Sequence, residues 1–149
     1  MCARSFSITT GKCAMSDRPY TDAINQLRTV GLRPTRQRIA LAKLLFGTSN
    51  RHVTAEALLA EATKAHIKVS LATVYNTLHQ FTSAGLLREI VVDLNRCYFD
   101  TNTTEHHHFF FEENNHLEDI HSDDIIISKL PPLPAGKNLR RVDVVIRVS

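Results

Sequence analysis

The feature of this sequence that most restricts its fold is a series of four helix-forming stretches in the first half of the chain. Apolar residues recur within each stretch at the three- and four-residue intervals that place them on one helical face. Gly31, Gly47 and Gly85 end three of the stretches, and Thr54 and Ser70 are suited to cap the third and fourth helices. The four predicted helices are residues 20–30, 34–46, 55–66 and 71–84.

Two runs of alternating apolar and polar residues follow the fourth predicted helix. Residues 86–92 and 96–101 are separated by Asp-Leu-Asn, which is typical of a β-hairpin. Two helices joined by a short turn and followed by a hairpin form a winged helix-turn-helix, whose second helix enters the DNA major groove. Thr73, Tyr75 and Asn76, on the polar side of the fourth helix, offer hydrogen-bonding groups to base edges. The pattern favours binding to double-stranded DNA, although amphipathic helices would also build a core without DNA.

Charge is divided unevenly along the chain, whose formal net charge is +3. The stretch LRTVGLRPTRQR carries four arginines and no acid, whereas residues 112–124 carry six acids and no lysine or arginine. Arg33 and Arg38 lie near the start of the second helix, where they could meet phosphate groups. Pro34 is suited to the first turn of that helix. The division predicts polyanion binding in the first half and cation binding in the second.

The sequence favours a cytoplasmic protein that does not contact the membrane. No apolar run approaches the about 20 residues of a membrane helix. Residues 1–19 lack the apolar segment of a secretory signal, so a signal peptide is not expected. They are predicted to be a short mobile leader. The three cysteines, Cys2, Cys13 and Cys97, form no CxxC pair, and their odd number argues against a disulfide scaffold. A reducing compartment is therefore expected.

The second half is predicted to be a small domain of three strands and one helix. Two strands flank Asn114-Asn115, a pair that tolerates a tight turn. Ser122 is suited to cap a helix over residues 123–130, which Pro131 ends. An alternating run over residues 139–149 supplies the third strand. So small a sheet buries little surface alone, and we expect a second copy of the chain to cover it.

Five of the eight histidines lie within residues 104–121. A two-residue turn at Asn114-Asn115 would place residue 108 opposite residue 121, and directly opposed residues share one face of a sheet. One face then carries His106, His108, Asp119 and His121, and the other carries His107, Phe109 and Phe111, of which the phenylalanines are predicted core. Asp100 could join the first face from the preceding strand. Imidazole and carboxylate ligands suit a divalent first-row metal, and the alternatives are a haem site or a solvated strand end.

Several motifs together resemble the ferric uptake regulator (Fur) superfamily over residues 20–148. They are GLRPTRQRIALAKLLF, HVTAEALLAEA, LATVYNTLHQFTSAGLL and HHH, in this order and spacing. The resemblance implies an α+β regulator with a winged helix-turn-helix domain, residues 20–101, and a small α/β dimerisation domain, residues 102–149. It also implies one divalent metal ion per chain, zinc, iron or manganese, that fixes the angle between the domains. The implied ligands are His52, Asp100, His106, His108 and Asp119, and the implied DNA contacts are Arg33, Arg38, Thr73, Tyr75 and Asn76.

The sequence also departs from most members of that superfamily. Phe111 and Asn114 stand where a CxxC pair usually follows the histidines, so a tetrathiolate zinc site is excluded. Three histidines followed by phenylalanines, without CxxC, most resemble the iron response regulator branch of alphaproteobacteria. That resemblance implies haem as an effector bound at His106, His107 and His108.

Three functions are weighed on these observations. The first is a homodimeric transcriptional regulator of iron and haem homeostasis that responds to haem and metal. The second is a peroxide sensor of the same superfamily, which would use an iron site with the same ligands. The third is a small metallohydrolase, which needs an open coordination position and a general base. Because no acid–base pair is evident and the DNA-binding half would have no role, the chain is not expected to be an enzyme.

Overall fold

The computed structural model describes residues 19–149, so the predicted leader, with Cys2 and Cys13, lies outside the described residues except for Pro19. Four α-helices come first, and two three-stranded sheets are built around and after them. The elements are α1 (Pro19–Thr29), α2 (Arg36–Phe46), β1 (His52–Val53), α3 (Ala55–Lys64), α4 (Leu71–Ser83), β2 (Arg88–Asp93), β3 (Arg96–Asp100), β4 (His106–Phe111), β5 (His116–His121), a 3-10 turn (Ser122–Asp124) and β6 (Val145–Val148).

Hydroxyl side chains fix where three of the helices begin. Thr54 and Ser70 each accept a hydrogen bond from a backbone N–H in the first turn, as predicted, at 3.2 and 3.1 Å. Thr35 does the same for α2, at 3.3 Å from the nitrogen of Arg38. Pro34 therefore precedes the N-cap, and the prediction that it lies in the first turn is wrong. The reason is that a threonine hydroxyl satisfies a free N–H of the first turn, which proline cannot do.

The first core lies among the four helices and the first sheet. Its fully buried side chains include Leu27 from α1, Leu45 from α2, Leu58 from α3 and Phe81 from α4. In the first sheet β3 is central, and both β1 and β2 pair with it in antiparallel fashion. Phe99 on β3 joins this core, so the hairpin is anchored to the helices.

The second sheet has the order β5-β4-β6, with β5 antiparallel and β6 parallel to the central strand β4. Its hairpin register differs by two residues from the predicted one: His108 is opposite Asp119, and Phe110 is opposite Leu117. The connecting turn is longer than predicted, residues 112–115, and Asn115 adopts a positive φ of 51°. Because the shift is even, each side chain stays on its predicted face.

The phenylalanine that forms the core of the second sheet is not one of those predicted. Phe110 is fully buried, whereas Phe109 and Phe111 are half-buried. The reason is that Phe110 lies on the side of β4 that faces the β2–β3 hairpin. Its cluster is completed by Ile90, Val92, Tyr98 and Leu117. A second core thus joins the hairpin of the first half to the sheet of the second.

The helix predicted after Ser122 is absent, and this prediction is wrong. Only a 3-10 turn forms at Ser122–Asp124, and residues 125–144 contain no helix or strand. Three successive isoleucines, residues 125–127, disfavour a helix because β-branched side chains lose rotamer freedom there. Ile126 is 88% exposed, so packing against the described residues 19–149 does little to offset that loss. The last strand is also shorter than predicted and begins at Val145.

Four helices followed by a hairpin and a second sheet confirm the predicted α+β class, with a winged helix-turn-helix preceding a small sheet domain. Among residues 19–149, no helix combines the length and apolar character required to cross a membrane.

Candidate metal centre

Five side chains converge where the first half of the chain meets the second. Each directs one nitrogen or oxygen atom toward the others, and these five atoms all lie within 4.8 Å of one another. The residues are His52 on β1, Asp100 at the end of β3, His106 and His108 on β4, and Asp119 on β5. The structure thus brings together all five residues that were predicted as metal ligands.

Strand pairing within each sheet accounts for this convergence. His52 lies directly opposite Asp100 in the first sheet, and His108 lies directly opposite Asp119 in the second. His106 shares the face of His108 because it is two residues away along the same strand. Asn102, in the connecting loop, donates its backbone N–H to Asp100 Oδ1 at 2.8 Å and its side-chain amide to Asp119 Oδ2 at 3.5 Å.

The two carboxylates face the same three imidazoles. Asp100 Oδ2 lies 2.8 Å from the Nε2 atom of His106, 3.2 Å from that of His108 and 3.3 Å from that of His52. Asp119 Oδ1 lies 2.8 Å from His52 Nε2, and 3.4 and 3.6 Å from the Nε2 atoms of His106 and His108. All three histidines therefore present Nε2 to one small volume.

The electrostatics of the cluster favour a cation. Burial tends to raise the pKa of Asp100, but hydrogen bonding by His108 and the Asn102 N–H, together with the nearby His52 imidazole, outweighs it and holds the pKa well below its usual range. Burial tends to lower the pKa of His52, but Asp100 and Asp119 outweigh it and raise that pKa. Asp100 is thus ionised at neutral pH in a buried position, where a positive charge is strongly favoured.

The donor atoms fit a first-row divalent ion. His52 Nε2 is buried and has no hydrogen-bond partner, although Asp119 Oδ1 is 2.8 Å away. Ligands bonded at about 2.0–2.2 Å and at right angles around such an ion stand about 3 Å apart. Nitrogen and carboxylate donors suit zinc, iron or manganese. His52, Asp100, His106, His108 and Asp119 would hold the ion together.

The remaining histidines of the stretch are placed differently. His121 is opposite His106, but its side chain is 72% exposed and its Nδ1 accepts a hydrogen bond from the Asp123 N–H. His107 points to the other face of β4, where its Nδ1 accepts the N–H of Val144 at 3.2 Å. The predicted haem ligands His106, His107 and His108 are all buried and lie on two faces of one strand.

With the geometry established, comparison with known proteins identifies the family. The model of the ferric uptake regulator family matches residues 29–143. This chain belongs to the ferric uptake regulator family.

Individual Fur-family relatives agree with this assignment. The peroxide-responsive repressor PerR of Staphylococcus epidermidis is 32% identical over 87 residues, which are 58% of this chain and 57% of that protein. The ferric uptake regulation protein of Pseudomonas putida is 40% identical over 63 residues, 42% of this chain and 47% of that protein. The matched region therefore spans about half the length of these relatives.

Solved structures show the same architecture. The ferric uptake regulator from Pseudomonas aeruginosa with manganese has a TM-score of 0.66 and 26% identity, covering 85% of this chain and 96% of that one.

Membership in a family of regulators agrees with the prediction that the chain is not an enzyme. The matches establish the family, and the resemblance to the iron response regulator branch stays a prediction.

The predicted DNA-contacting residues of this Fur-family chain lie on α4, within the first turn of α2 and just before α2. Asn76 is exposed, and the half-buried Thr73 lies beside the Ser70 cap. The Tyr75 hydroxyl donates to Glu56 Oε1 at 2.9 Å, and its ring stacks on that of His79. Tyr75 is thus held by α3 in the absence of DNA.

Arg33 and Arg38 lie beside each other around the start of α2. Arg38 donates from Nε and Nη2 to Gln80 Oε1 on α4, at 3.0 and 2.7 Å. Its Nη1 donates to the carbonyl of Arg33 at 2.8 Å. Arg38 therefore braces α2 against α4, while the Arg33 side chain is exposed.

Arg88 is a residue of the site that the sequence reasoning missed. It is only 3% exposed, and it lies directly behind His106. Its guanidinium donates to the carbonyls of Thr104 and His106 and forms an ion pair with Asp143. The available signal was its place in the alternating run 86–92, where an inward-facing position carries an arginine instead of an apolar residue.

Proposed function

We propose that this chain is a homodimeric, DNA-binding transcriptional regulator that responds to a divalent metal ion. The observation that carries the proposal is that the five donor atoms come from both halves of the chain. His52 and Asp100 belong to the half with the helix-turn-helix, whereas His106, His108 and Asp119 belong to the second sheet. An ion held by all five would tie the two halves together.

The metal would act by selecting one arrangement of the two halves. When bound, the ion supplies positive charge that offsets two carboxylates pointing at one volume. His52 can contribute its Nε2 only when β1 lies against β4 and β5. Binding therefore favours the closed arrangement, in which the helix-turn-helix has a fixed orientation.

The DNA-binding part of the proposal rests on the α4 surface. Thr73, Tyr75 and Asn76 are grouped there, and Arg33 extends the surface with an exposed positive charge. In this arrangement α4 supplies base contacts, whereas the arginines supply phosphate contacts that position it.

The dimer part rests on apolar surface in the second half. Phe109 and Phe111 are only half-buried, and Ile146 beside them is 38% exposed. Ile126 and Leu133, in the segment before β6, are also exposed. A second copy would remove this surface from water, which a three-stranded sheet alone does not do.

The decisive test removes both carboxylates of the site. In the Asp100→Ala, Asp119→Ala double variant we expect Mn(II) affinity to fall by at least about tenfold. Binding to a DNA duplex selected from a random pool by the Mn(II)-loaded parent should weaken as well. The dimer should persist in size-exclusion chromatography. His121→Ala is the matched control, because His121 lies on the same strand outside the cluster. Unchanged metal and DNA binding in the double variant would overturn the proposal.

A peroxide sensor is the second candidate function. It is favoured by a donor set of only nitrogen and oxygen atoms and by the similarity to PerR of Staphylococcus epidermidis. Bound Fe(II) would direct peroxide oxidation to the imidazoles that hold it. Mass spectrometry after peroxide treatment should then find oxygen added at His52, His106 or His108, and not at His121. Absence of such oxidation in the Fe(II)-loaded protein would exclude this candidate.

A more specific hypothesis than metal-responsive regulation is that the chain regulates iron and haem homeostasis with haem as its effector. The three adjacent histidines support it. Because their imidazoles are buried, haem would have to displace the metal at His106 and His108 or separate His107 from Val144. Haemin titration at fixed Mn(II) should therefore produce a Soret band together with release of DNA. A Soret band without any change in DNA affinity would contradict this coupling.

A further inference from the structure

A groove lies beside the N-terminal end of α4, between α2 and the turn that joins α3 to α4. It consists of two adjoining depressions of about 410 and 730 Å³. The first reaches the first turn of α2, and the second reaches the first turn of α4. This basic groove is lined by polar side chains that include Arg36, Gln37, His66, Lys68, Ser70 and Thr73.

The basic groove carries positive charge without a counter-charge. Arg36 and Lys68 are exposed, and no carboxylate of the described residues 19–149 lies in its lining. The sequence accounts for this, because residues 23–55 and 62–88 contain no Asp or Glu. The two positive charges of the groove are therefore available to an anionic partner.

His66 occupies the groove in a backbone conformation that favours glycine. Its φ is 57°, in the left-handed region, where only glycine has no steric penalty. Its N–H donates to the carbonyl of Thr63 at 3.1 Å, and the N–H of Ile67 donates to that of Ala62 at 2.9 Å. These bonds close the C-terminal end of α3 and need no side chain at position 66. The turn therefore does not account for the imidazole, which adds a hydrogen-bond donor to the groove.

The basic groove is continuous with the α4 surface. Thr73, one of the predicted DNA contacts, lies in its lining, and so does Ser70, the N-cap of α4. In helix-turn-helix complexes the N-terminal residues of the recognition helix meet base edges, while an earlier helix crosses the phosphate backbone. The strand beside those bases would therefore pass the groove, and its phosphates supply the negative charge that the groove lacks.

We propose that the basic groove holds the phosphate backbone of the DNA strand that flanks the bases contacted by α4. The inference rests on the proposed DNA-binding function and adds three residues to the predicted contacts. Arg36 and Lys68 supply positive charge, and His66 donates a hydrogen bond to a phosphate oxygen. Because these contacts are made to phosphate, they add affinity and position α4 without reading the base sequence.

The first test measures how salt affects binding to the duplex selected by the Mn(II)-loaded parent and to a scrambled duplex. Arg36→Ala and Lys68→Ala should each weaken binding to both duplexes by the same factor. Each should also reduce the slope of log affinity against log salt by about one, and the double variant by about two. Lys137→Ala is the matched control, because it removes one exposed positive charge from the second half. An unchanged slope in both groove variants, or an equal fall in the control, would overturn the proposal.

The second test locates the contact on the DNA. Duplexes that carry one uncharged methylphosphonate in place of a phosphate identify the phosphates that the parent requires. At positions flanking the selected bases, this replacement should weaken binding of the parent and of Lys137→Ala. It should have no effect on the Arg36→Ala, Lys68→Ala double variant, which has already lost the contact. If every phosphate that the parent requires remained equally necessary to the double variant, the groove would not be the binding site.

The third test separates the imidazole of His66 from the turn that it occupies. His66→Gly relieves the steric penalty of the positive φ, so the urea midpoint of the metal-free protein should rise. DNA affinity should nevertheless fall by about fivefold, because a hydrogen-bond donor to phosphate is lost. A rise in the urea midpoint without a fall in DNA affinity would overturn the role of His66.

These outcomes distinguish the groove from the function on which it rests. If the Mn(II)-loaded parent selected no duplex, both the proposed function and the groove would be overturned. If the parent selected a duplex and discriminated against the scrambled one, an unchanged salt slope in the groove variants would overturn the groove alone.

Discussion

At the scale of single residues, the candidate site is a set of charged and polar side chains, most of them in buried positions that apolar side chains usually occupy. Asp100 and His108 are each only 1% exposed. An ionised carboxylate so deeply buried costs several kcal/mol unless it is paired. Asp100 is paired with three imidazoles, and the more exposed Asp119 faces them from the second half. The cluster therefore depends on charge balance, which a bound cation would supply.

The sequence predicted these residues better than it predicted their neighbours. The residue types and the alternation of side chains along a strand were enough to place His106, His108 and Asp119 on one face. The predicted register was wrong by two residues, and a shift by an even number leaves every side chain on the same face. Only the family resemblance indicated His52, since its approach depends on how β1 pairs with β3. The alternation of residues 86–92 places Arg88 on the inward face, but the sequence could not indicate its partners, because Thr104 and Asp143 are 16 and 55 residues away in the chain.

Cys97 gives a prediction at this scale. Burial and the neighbouring carboxylate of Glu89 raise the pKa of its thiol to about 12. Almost no thiolate is then present at pH 8.5, so in a Cys2→Ser, Cys13→Ser background we expect slow alkylation by iodoacetamide. Adding Glu89→Gln removes the negative charge, lowers the pKa of the thiol and should accelerate the reaction. Equal alkylation rates with and without Glu89→Gln would contradict the assigned role of the carboxylate.

At the scale of elements, helix ends are specified locally, whereas the course of the C-terminal segment is not. Threonine or serine before an apolar run marks the N-termini of α2, α3 and α4, since one hydroxyl satisfies one free N–H. The segment after Ser122 looked helical because of its cap and two aspartates. Ile126 and Ile127 are 88% and 41% exposed, and helices gain most of their stability from the packing of an apolar face.

The cap of α4 can be tested by a single substitution. Ser70→Ala removes the acceptor for the Thr73 N–H, and we expect the free energy of unfolding to fall by about 1 kcal/mol. Urea denaturation of the metal-free protein measures this change. Ser83→Ala, at the exposed C-terminal end of the same helix, is the control and should change stability much less. A loss no larger than in the control would show that the hydroxyl does not stabilise the helix.

The DNA surface can be tested by comparing two substitutions on a selected duplex. Tyr75→Ala should reduce discrimination between the selected duplex and a scrambled one, because Tyr75 is one of the residues proposed to contact bases. Arg33→Ala should weaken binding to both duplexes and reduce the slope of log affinity against log salt by about one. If Tyr75→Ala retained the discrimination of the parent, the assignment of α4 as the recognition helix would be wrong.

At the scale of the whole molecule, two connections join the halves. One is the apolar cluster of Phe110 with Ile90, Val92 and Tyr98, reinforced by the Tyr98 hydroxyl donating to the carbonyl of Asn115 at 2.8 Å. The other is the candidate metal site, where His52 meets the second sheet. The first holds the hairpin to the second sheet without a metal. The second would fix β1 against the second sheet when an ion is bound.

If a metal ion ties β1 to the second sheet, His52 must be one of its ligands. A Mn(II) titration of His52→Ala measures this, because removal of the imidazole weakens binding only if it holds the ion. We expect a single ion per parent chain, an affinity at least about tenfold lower in His52→Ala, and parental affinity in His121→Ala, with circular dichroism unchanged throughout. Parental Mn(II) affinity in His52→Ala would overturn this role of His52, because the ion would then be held without β1.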